Sequence, residues 1–339
     1  MKTLLRLLLL VVIVGAVGAG YVAYQLRQPF QGFSEPVFVE FPHGTSTGAM
    51  ASALAEKGVI RDRWLFLAAR AFKRANLQAG EYKFEKPAST LDVYSKIARG
   101  DIFYMELLIP EGYNLFDIAG AIEKLGSKER LAALTPASFL LVARDPTLIR
   151  DLDPRASSLE GYLFPNKYRI YRRTTAQQLC RQMTNEFRAQ WKTLNAHGIG
   201  HETVHETVTL ASMVEREARL PEERPQVAAV FANRLRIGMR LDCDPTTVYA
   251  ALLENRYRGV IHRSDLDNTN PYNTYQHAGL PPGPIANPGL SSIKAALAPA
   301  DSKFLYFVAR ADGSGGHRFS ASLEQHEAAV AQYERAIRK

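Results

Sequence analysis

The chain has 339 residues, enough for about two domains plus accessories, and 46% of them are hydrophobic, ample for a sizeable core. Lysine and arginine number 42 against 34 acidic residues, a formal net charge of +8 that suits an anionic partner; the basic residues are scattered and no recognition motif points to nucleic acid. Two cysteines, Cys180 and Cys243, exclude a disulfide framework and leave room for one bridge at most.

Lys2 and Arg6 precede an apolar run from Leu7 to Tyr24. About 18 residues is near the lower limit for a membrane-spanning helix and long for a signal-peptide core. The end of the run, Ala23-Tyr24-Gln25-Leu26, offers no small-x-small cleavage site, whereas Gly18-Ala19-Gly20 keeps cleavage open as a second reading. A basic N-terminal flank stays in the cytoplasm. Residues 1–27 therefore read as a cytoplasmic tip and a single-pass transmembrane anchor in the inner membrane, with everything after Arg27 on the extracytoplasmic side.

Residues 28–36 form a short linker with Pro29, Gly32 and Pro36. An internal repeat follows. Phe41-Pro42-His43-Gly44 leads into Ala49–Leu54 and closes at Gly58; Ile109-Pro110-Glu111-Gly112 leads into Asp117–Ile122 and closes at Gly126. Each copy predicts a strand (Val37–Phe41 and Met105–Ile109), a Pro-x-Gly turn, a short amphipathic helix and a glycine stop. Between the copies lie a helix near Arg63–Ala75, the strand Gly80–Phe84 and a helix over Thr90–Arg99. Such strand-turn-helix units resemble LysM-like modules, which bind N-acetylglucosamine polymers; the plainer reading is a small α+β packing module without a ligand. The repeat-containing module is placed at 37–154.

A second domain, 155–339, opens on Ser158–Pro165 and predicts helices near Thr175–Asn195, Glu202–Arg219 and Glu222–Arg236. A stretch rich in Pro, Gly, Asn and Tyr follows, which is loop chemistry. The chain ends with a strand over Phe304–Ala309, a strand near His317–Ser320 and a helix over Leu323–Ile337. Strands and helices are segregated rather than alternating, so the class is α+β.

Glu215 and Glu217 flank the apolar face of the second of these helices, about 200° apart, so they cannot both face one cleft. Periodicity does not choose between them. A carboxyl held against apolar surface keeps its proton near neutral pH, as an acid that protonates a glycosidic oxygen must. The alternative for such a pair is a solvated salt-bridged face, with Glu215 paired to Arg219 at i+4. Asp244-Pro245 makes a good helix start, with Asp244 as cap. Pro271–Tyr275 and Gly279–Gly289 form long loops of the kind that line sites, though Tyr272-Asn273-Thr274-Tyr275 also reads as a self-bonded turn. His317 and His326 lack partners at metal-ligand spacing, and Cys243 reads as a small buried filler.

The blocks Glu215–Glu217, Asn233-Arg234-Leu235, Met239–Tyr249, Pro271–Tyr275 and Gly279–Gly289, in this order, resemble the YceG-like endolytic murein transglycosylases, membrane-anchored enzymes that cut peptidoglycan strands. The resemblance covers nearly all of the second domain. It implies a carbon–oxygen lyase that needs no cofactor or metal and forms 1,6-anhydro ends at the bond between N-acetylmuramic acid and N-acetylglucosamine. The family's catalytic glutamate falls on Glu217, and Asp244, Thr246, Tyr272, Asn273, Thr274 and Tyr275 are expected to bind substrate. The family's aspartate after Pro165 is missing, because Asn166-Lys167-Tyr168 stands there. Contact with the cell-wall synthesis machinery is also implied. Two other readings stay open: a two-carboxylate muramidase with Asp244 as base or nucleophile, and a non-catalytic peptidoglycan-binding anchor.

Overall fold

The computed structural model describes residues 2–127, 131, 133–195 and 203–338. They form two compact units, Met1–Tyr104 and Met105–Lys339.

The first unit begins with α1 (Lys2–Arg27). Its side chains are exposed from Thr3 to Tyr21, and one side of the last turns is covered: Leu26 is buried in the unit's core. A short strand β1 (Pro29–Phe30) precedes β2 (Val37–Phe41). Next come α2 (Thr47–Glu56), α3 (Arg63–Lys73), β3 (Gly80–Phe84), β4 (Ala88–Ser89) and α4 (Thr90–Arg99). Strands β2 and β3 pair antiparallel with Val37 opposite Phe84, and β1 pairs with β4. Polar side chains start the helices: Ser46 caps α2, Asp62 caps α3, and Ser89 with Asp92 forms a capping box on α4. Gly80 lies at φ +145°, where an added Cβ would meet the Ile102 side chain at 2.7 Å. The core gathers Phe41, Leu54, Phe66, Tyr82, Tyr94 and Ile97.

The second unit starts with β5 (Met105–Ile109), α5 (Leu115–Gly126) and α6 (Pro136–Ala143). Strand β6 (Asn166–Ile170) then pairs antiparallel with β5, Met105 opposite Ile170. By contacts the chain thus divides upstream of the 154/155 boundary read from sequence, because β5, the strand of the second repeat copy, takes its partner from beyond residue 155. The two repeat copies fall in different units.

Helices α7 (Ala176–Asn195), α8 (Val204–Glu217), α9 (Arg224–Arg236), α10 (Asp244–Leu253), α11 (Arg263–Leu266) and α12 (Leu290–Leu297) follow. Helix α8 is the axis of the unit. Every residue from Thr207 to Val214 is buried, with α9, α10 and α12 packed around it. The Asn233-Arg234 pair clamps α9 to the chain beyond it: Asn233 Nδ2 donates to the carbonyls of Ser302 and Phe304, and Arg234 donates to those of Leu305 and Leu241. The hairpin β7 (Tyr306–Ala309) and β8 (His317–Ser320) is covered by α13 (Leu323–Ile337).

Candidate active site

Helix α8 ends at Glu217, because Ala218 turns to extended backbone. The two glutamates near its end meet different environments. Glu215 is 5% exposed and bound on both oxygens: Arg224 Nη2 donates to Oε1 at 2.8 Å, and the Gly289 amide donates to Oε2 at 2.9 Å. Arg224 also reaches Glu111 at 3.4 Å and donates to Ser291 Oγ. The partner of Glu215 is thus Arg224 on α9, not Arg219. A Cβ added at Gly289 would sit 1.9 Å from Glu111 Oε1, so a larger residue there would displace the Glu111 carboxylate.

Among the described residues no cation forms an ion pair with Glu217. Its Oε1 accepts from the Cys243 thiol at 3.2 Å, and the residue as a whole, like Glu215, is of intermediate exposure. Desolvation pushes its pKa up to about 7, with the thiol contact opposing and the neighbouring Asp244 charge adding to the rise. Glu217 is therefore partly protonated near neutral pH. Glu160 offers a contrast. Burial pushes it up to about 8, but it is 1% exposed and takes hydrogen bonds from the Leu115 amide and Asn287 Nδ2, each at 3.0 Å. It ties the Gly279–Gly289 loop to α5 and is closed to a polymer. Sequence reasoning gave Glu160 no role, and only its Glu-Gly neighbourhood marked it.

Asp244 is exposed in the first turn of α10, and its Oδ1 accepts from the Tyr275 hydroxyl at 2.7 Å. It does not cap the helix; Cys243 occupies the cap position, without a side-chain cap bond. Tyr275 and Tyr272 are partly buried, the latter with its ring 5.0 Å from that of Tyr249. Thr246, Asn273 and Thr274, expected as substrate contacts, are buried and hydrogen-bonded within the protein. Thr246 and Thr274 hydroxyls lie 2.9 Å apart, and Thr274 Oγ1 accepts from the Cys243 amide. Asn273 Nδ2 donates to the carbonyls of Asp265, Leu266 and Asn268, while its Oδ1 accepts from Thr247 and the Tyr275 amide. These residues fix the loop that carries Tyr272 and Tyr275 against the start of α10. Both cysteines are buried and free.

Beside this arrangement a groove of 620 Å³ runs along β5 and α5, lined by Pro110, Tyr113, Phe116, Gly120, Lys124 and Arg216 among others. Glu217 is not in its wall. Arg216, the preceding residue, is, and its Nη1 donates to the Gly112 carbonyl at 3.1 Å. The Phe116 ring meets Tyr249 of α10 at 6.4 Å. The groove thus reaches the end of α8, and its Phe116 wall touches the middle of α10.

Comparison with known proteins is consistent with this geometry. The model of the YceG-like family matches residues 39–332. An endolytic murein transglycosylase of Bacillus subtilis (strain 168) is 33% identical over 329 residues, covering 93% of this chain and 90% of that one. Its namesake in Streptococcus pneumoniae serotype 2 (strain D39 / NCTC 7466) is 31% identical over 324 residues, which are 88% of this chain but 58% of the streptococcal protein. Among solved structures, the 2.6 Å crystal structure of a yceG-like protein from Listeria monocytogenes superposes with a TM-score of 0.54 at 32% identity, covering 87% of this chain and 99% of the other. With the family model spanning nearly all of both units, the chain belongs to the YceG-like family.

Proposed function

We propose that this protein is a lytic transglycosylase of peptidoglycan, cutting within glycan strands with Glu217 as its single acid–base group. The observation that carries the assignment of Glu217 is burial without a paired cation, which pushes its pKa up to about 7, at the end of α8 and close enough to Asp244 for that charge to add to the rise. A protonated Glu217 donates to the oxygen joining N-acetylmuramic acid to N-acetylglucosamine, and that C1–O bond breaks. Positive charge develops at C1, where the exposed Asp244 carboxylate, held by the Tyr275 hydroxyl, stabilises it. The ionised Glu217 then takes the proton of the muramic acid C6 hydroxyl, whose oxygen closes on C1 as a 1,6-anhydro ring. The nucleophile belongs to the substrate, so one carboxyl serves both transfers.

Tyr272 and Tyr275 present aromatic and hydroxyl surface to the sugars, while Thr246, Asn273 and Thr274 act by holding those tyrosines in place. Helix α1 anchors the enzyme as a single pass in the inner membrane with both units on the extracytoplasmic side; its segment Thr3–Arg27, with hydropathy 2.3, is long and apolar enough to span. The repeat-containing stretch 37–154 supplies a LysM-like glycan-binding element from its first copy in the first unit, while its second copy belongs to the second unit with the catalytic residues of 155–339, and the enzyme works in contact with the cell-wall synthesis machinery. The test is Glu217→Gln on purified peptidoglycan: release of anhydro products should cease while the variant still unfolds cooperatively and still sediments with peptidoglycan. Retained release of anhydro products would remove Glu217 from this role. The proximity of Asp244 favours one rival, a hydrolase using both carboxyls, which would leave reducing ends instead.

A further inference from the structure

Helix α3 carries a surface that neither the glycan chemistry nor the packing of its own unit uses. Its inward side buries Phe66 and Ala69, with Leu65 and Leu67 packed against the same core. On its outward side Trp64 is 63% and Phe72 70% exposed. The two are eight residues apart, about 80° around the axis and two turns along it, so they stand on one side of the helix. Exposed cations flank them: Arg61 and Arg63 before, Lys73 and Arg74 after. The Arg63 guanidinium lies 4.6 Å from the Trp64 ring centre. The single acid in this stretch, Asp62, is spent on the cap, accepting from the Trp64 amide at 2.6 Å. An aromatic pair bordered by cations is the composition of a helix that lies in a membrane interface.

The position of α3 agrees with its composition. Helix α1 packs against both α3 and α4, and its contribution to their common core comes from Val22 and Leu26. A 25-residue span is about 37 Å long, against about 30 Å of hydrocarbon, so the last turns of α1 emerge into the headgroup layer. Tyr21 and Tyr24, exposed on those turns, are the aromatic side chains that favour this layer. The core holding Val22 and Leu26 includes α3 residues, so α3 lies within side-chain reach of the same level.

The geometry points to α3 as an interfacial helix, with Trp64 and Phe72 inserted among the lipids of the leaflet from which α1 emerges and its cations on acidic headgroups. This inference rests on the reading of α1 as a membrane anchor. The occupant of the surface is the bilayer itself, and the consequence is a second fixed point that limits the swing of the first unit about the end of α1.

The chain contains two tryptophans, and the other, Trp191, is buried and stacked on Phe187. The full chain is reconstituted into nanodiscs of phosphatidylcholine with phosphatidylglycerol, with bromine on the upper acyl carbons. The discs should quench tryptophan emission, Trp64→Phe should remove most of that quenching, and discs of phosphatidylcholine alone should quench less. If the chain co-purifies with the discs but Trp64 is quenched by aqueous iodide and not by bromolipid, the interfacial helix is overturned while the anchor stands. Equal quenching in both lipid compositions overturns the role of the cations. Failure to co-purify with discs of either kind overturns the anchor reading and this inference with it.

Discussion

Replacing Glu217 by glutamine should stabilise the fold while it abolishes the chemistry, and the gain should appear only as pH rises. The folded pKa is about 7 against an ordinary value of 4.5. Burial disfavours the charged form, so the folded state binds the proton more tightly than the unfolded chain. The stability contributed by the protonated group is complete below pH 4.5 and is lost as pH rises to about 7. The whole effect is roughly 3 kcal/mol at about 1.4 kcal/mol for each tenfold change in proton affinity, and about 2.5 kcal/mol falls between about pH 5 and pH 8. Glutamine is neutral throughout and escapes this loss. In a unit of this size that corresponds to roughly 5–10 °C in melting temperature. Thermal unfolding of the full wild-type chain and of Glu217→Gln in detergent, at about pH 5 and about pH 8, gives four values whose double difference isolates the carboxyl. The variant should melt close to wild type at the lower pH and well above it at the higher. A difference that does not change with pH would show that Glu217 ionises normally, and the acid assignment would lose its physical basis.

Other predictions use neighbouring contacts. Glu215→Gln removes the buried charge paired with Arg224 and leaves that cation only the longer contact to half-exposed Glu111; it should destabilise the second unit by about 3 kcal/mol, while the folded fraction retains its specific activity. Equal loss of activity and stability at both glutamates would mean that the division of roles is wrong. Asn273→Ala removes the two N–H donors shared among the carbonyls of Asp265, Leu266 and Asn268 and should cost about 2 kcal/mol, together with turnover, because Tyr275 is no longer held against Asp244. Asp244→Asn should lower the rate and leave anhydro ends on the products that remain. N-terminal sequencing of the membrane fraction should find an uncleaved chain, whereas a mature start near Tyr21 would replace the anchor by a signal peptide.

Regular elements were legible wherever local chemistry sets them. Val37–Phe41, Gly80–Phe84 and Met105–Ile109 form the expected strands, and Thr90–Arg99 and Leu323–Ile337 the expected helices. Alternation and capping residues act over a few positions and can be read directly. Strand β6 was not legible: Asn166–Ile170 is a strand because β5 needs an edge partner, and that pairing spans some sixty residues. The environments of the two glutamates were hidden for the same reason. Helical spacing offered Glu215 only Arg219, while the real partners, Arg224 and the Gly289 amide, come from α9 and the entry to α12. Asp244 has the sequence of a cap, yet the helix begins one residue early and frees its carboxylate for Tyr275. The burial of Thr246, Asn273 and Thr274 was not legible either, because polar side chains in a loop suit both internal and outward bonds and their sequence does not say which.

The central claim is that the nucleophile at C1 is the sugar's own hydroxyl and not water. The most direct measurement is digestion of intact peptidoglycan by the full chain in ¹⁸O-labelled water, with mass spectrometry of the released muropeptides. The account predicts 1,6-anhydro ends with no label at the cut muramic acid C1. Reducing ends carrying one ¹⁸O per cut would contradict it, and would assign Glu217 and Asp244 to a two-carboxylate hydrolase.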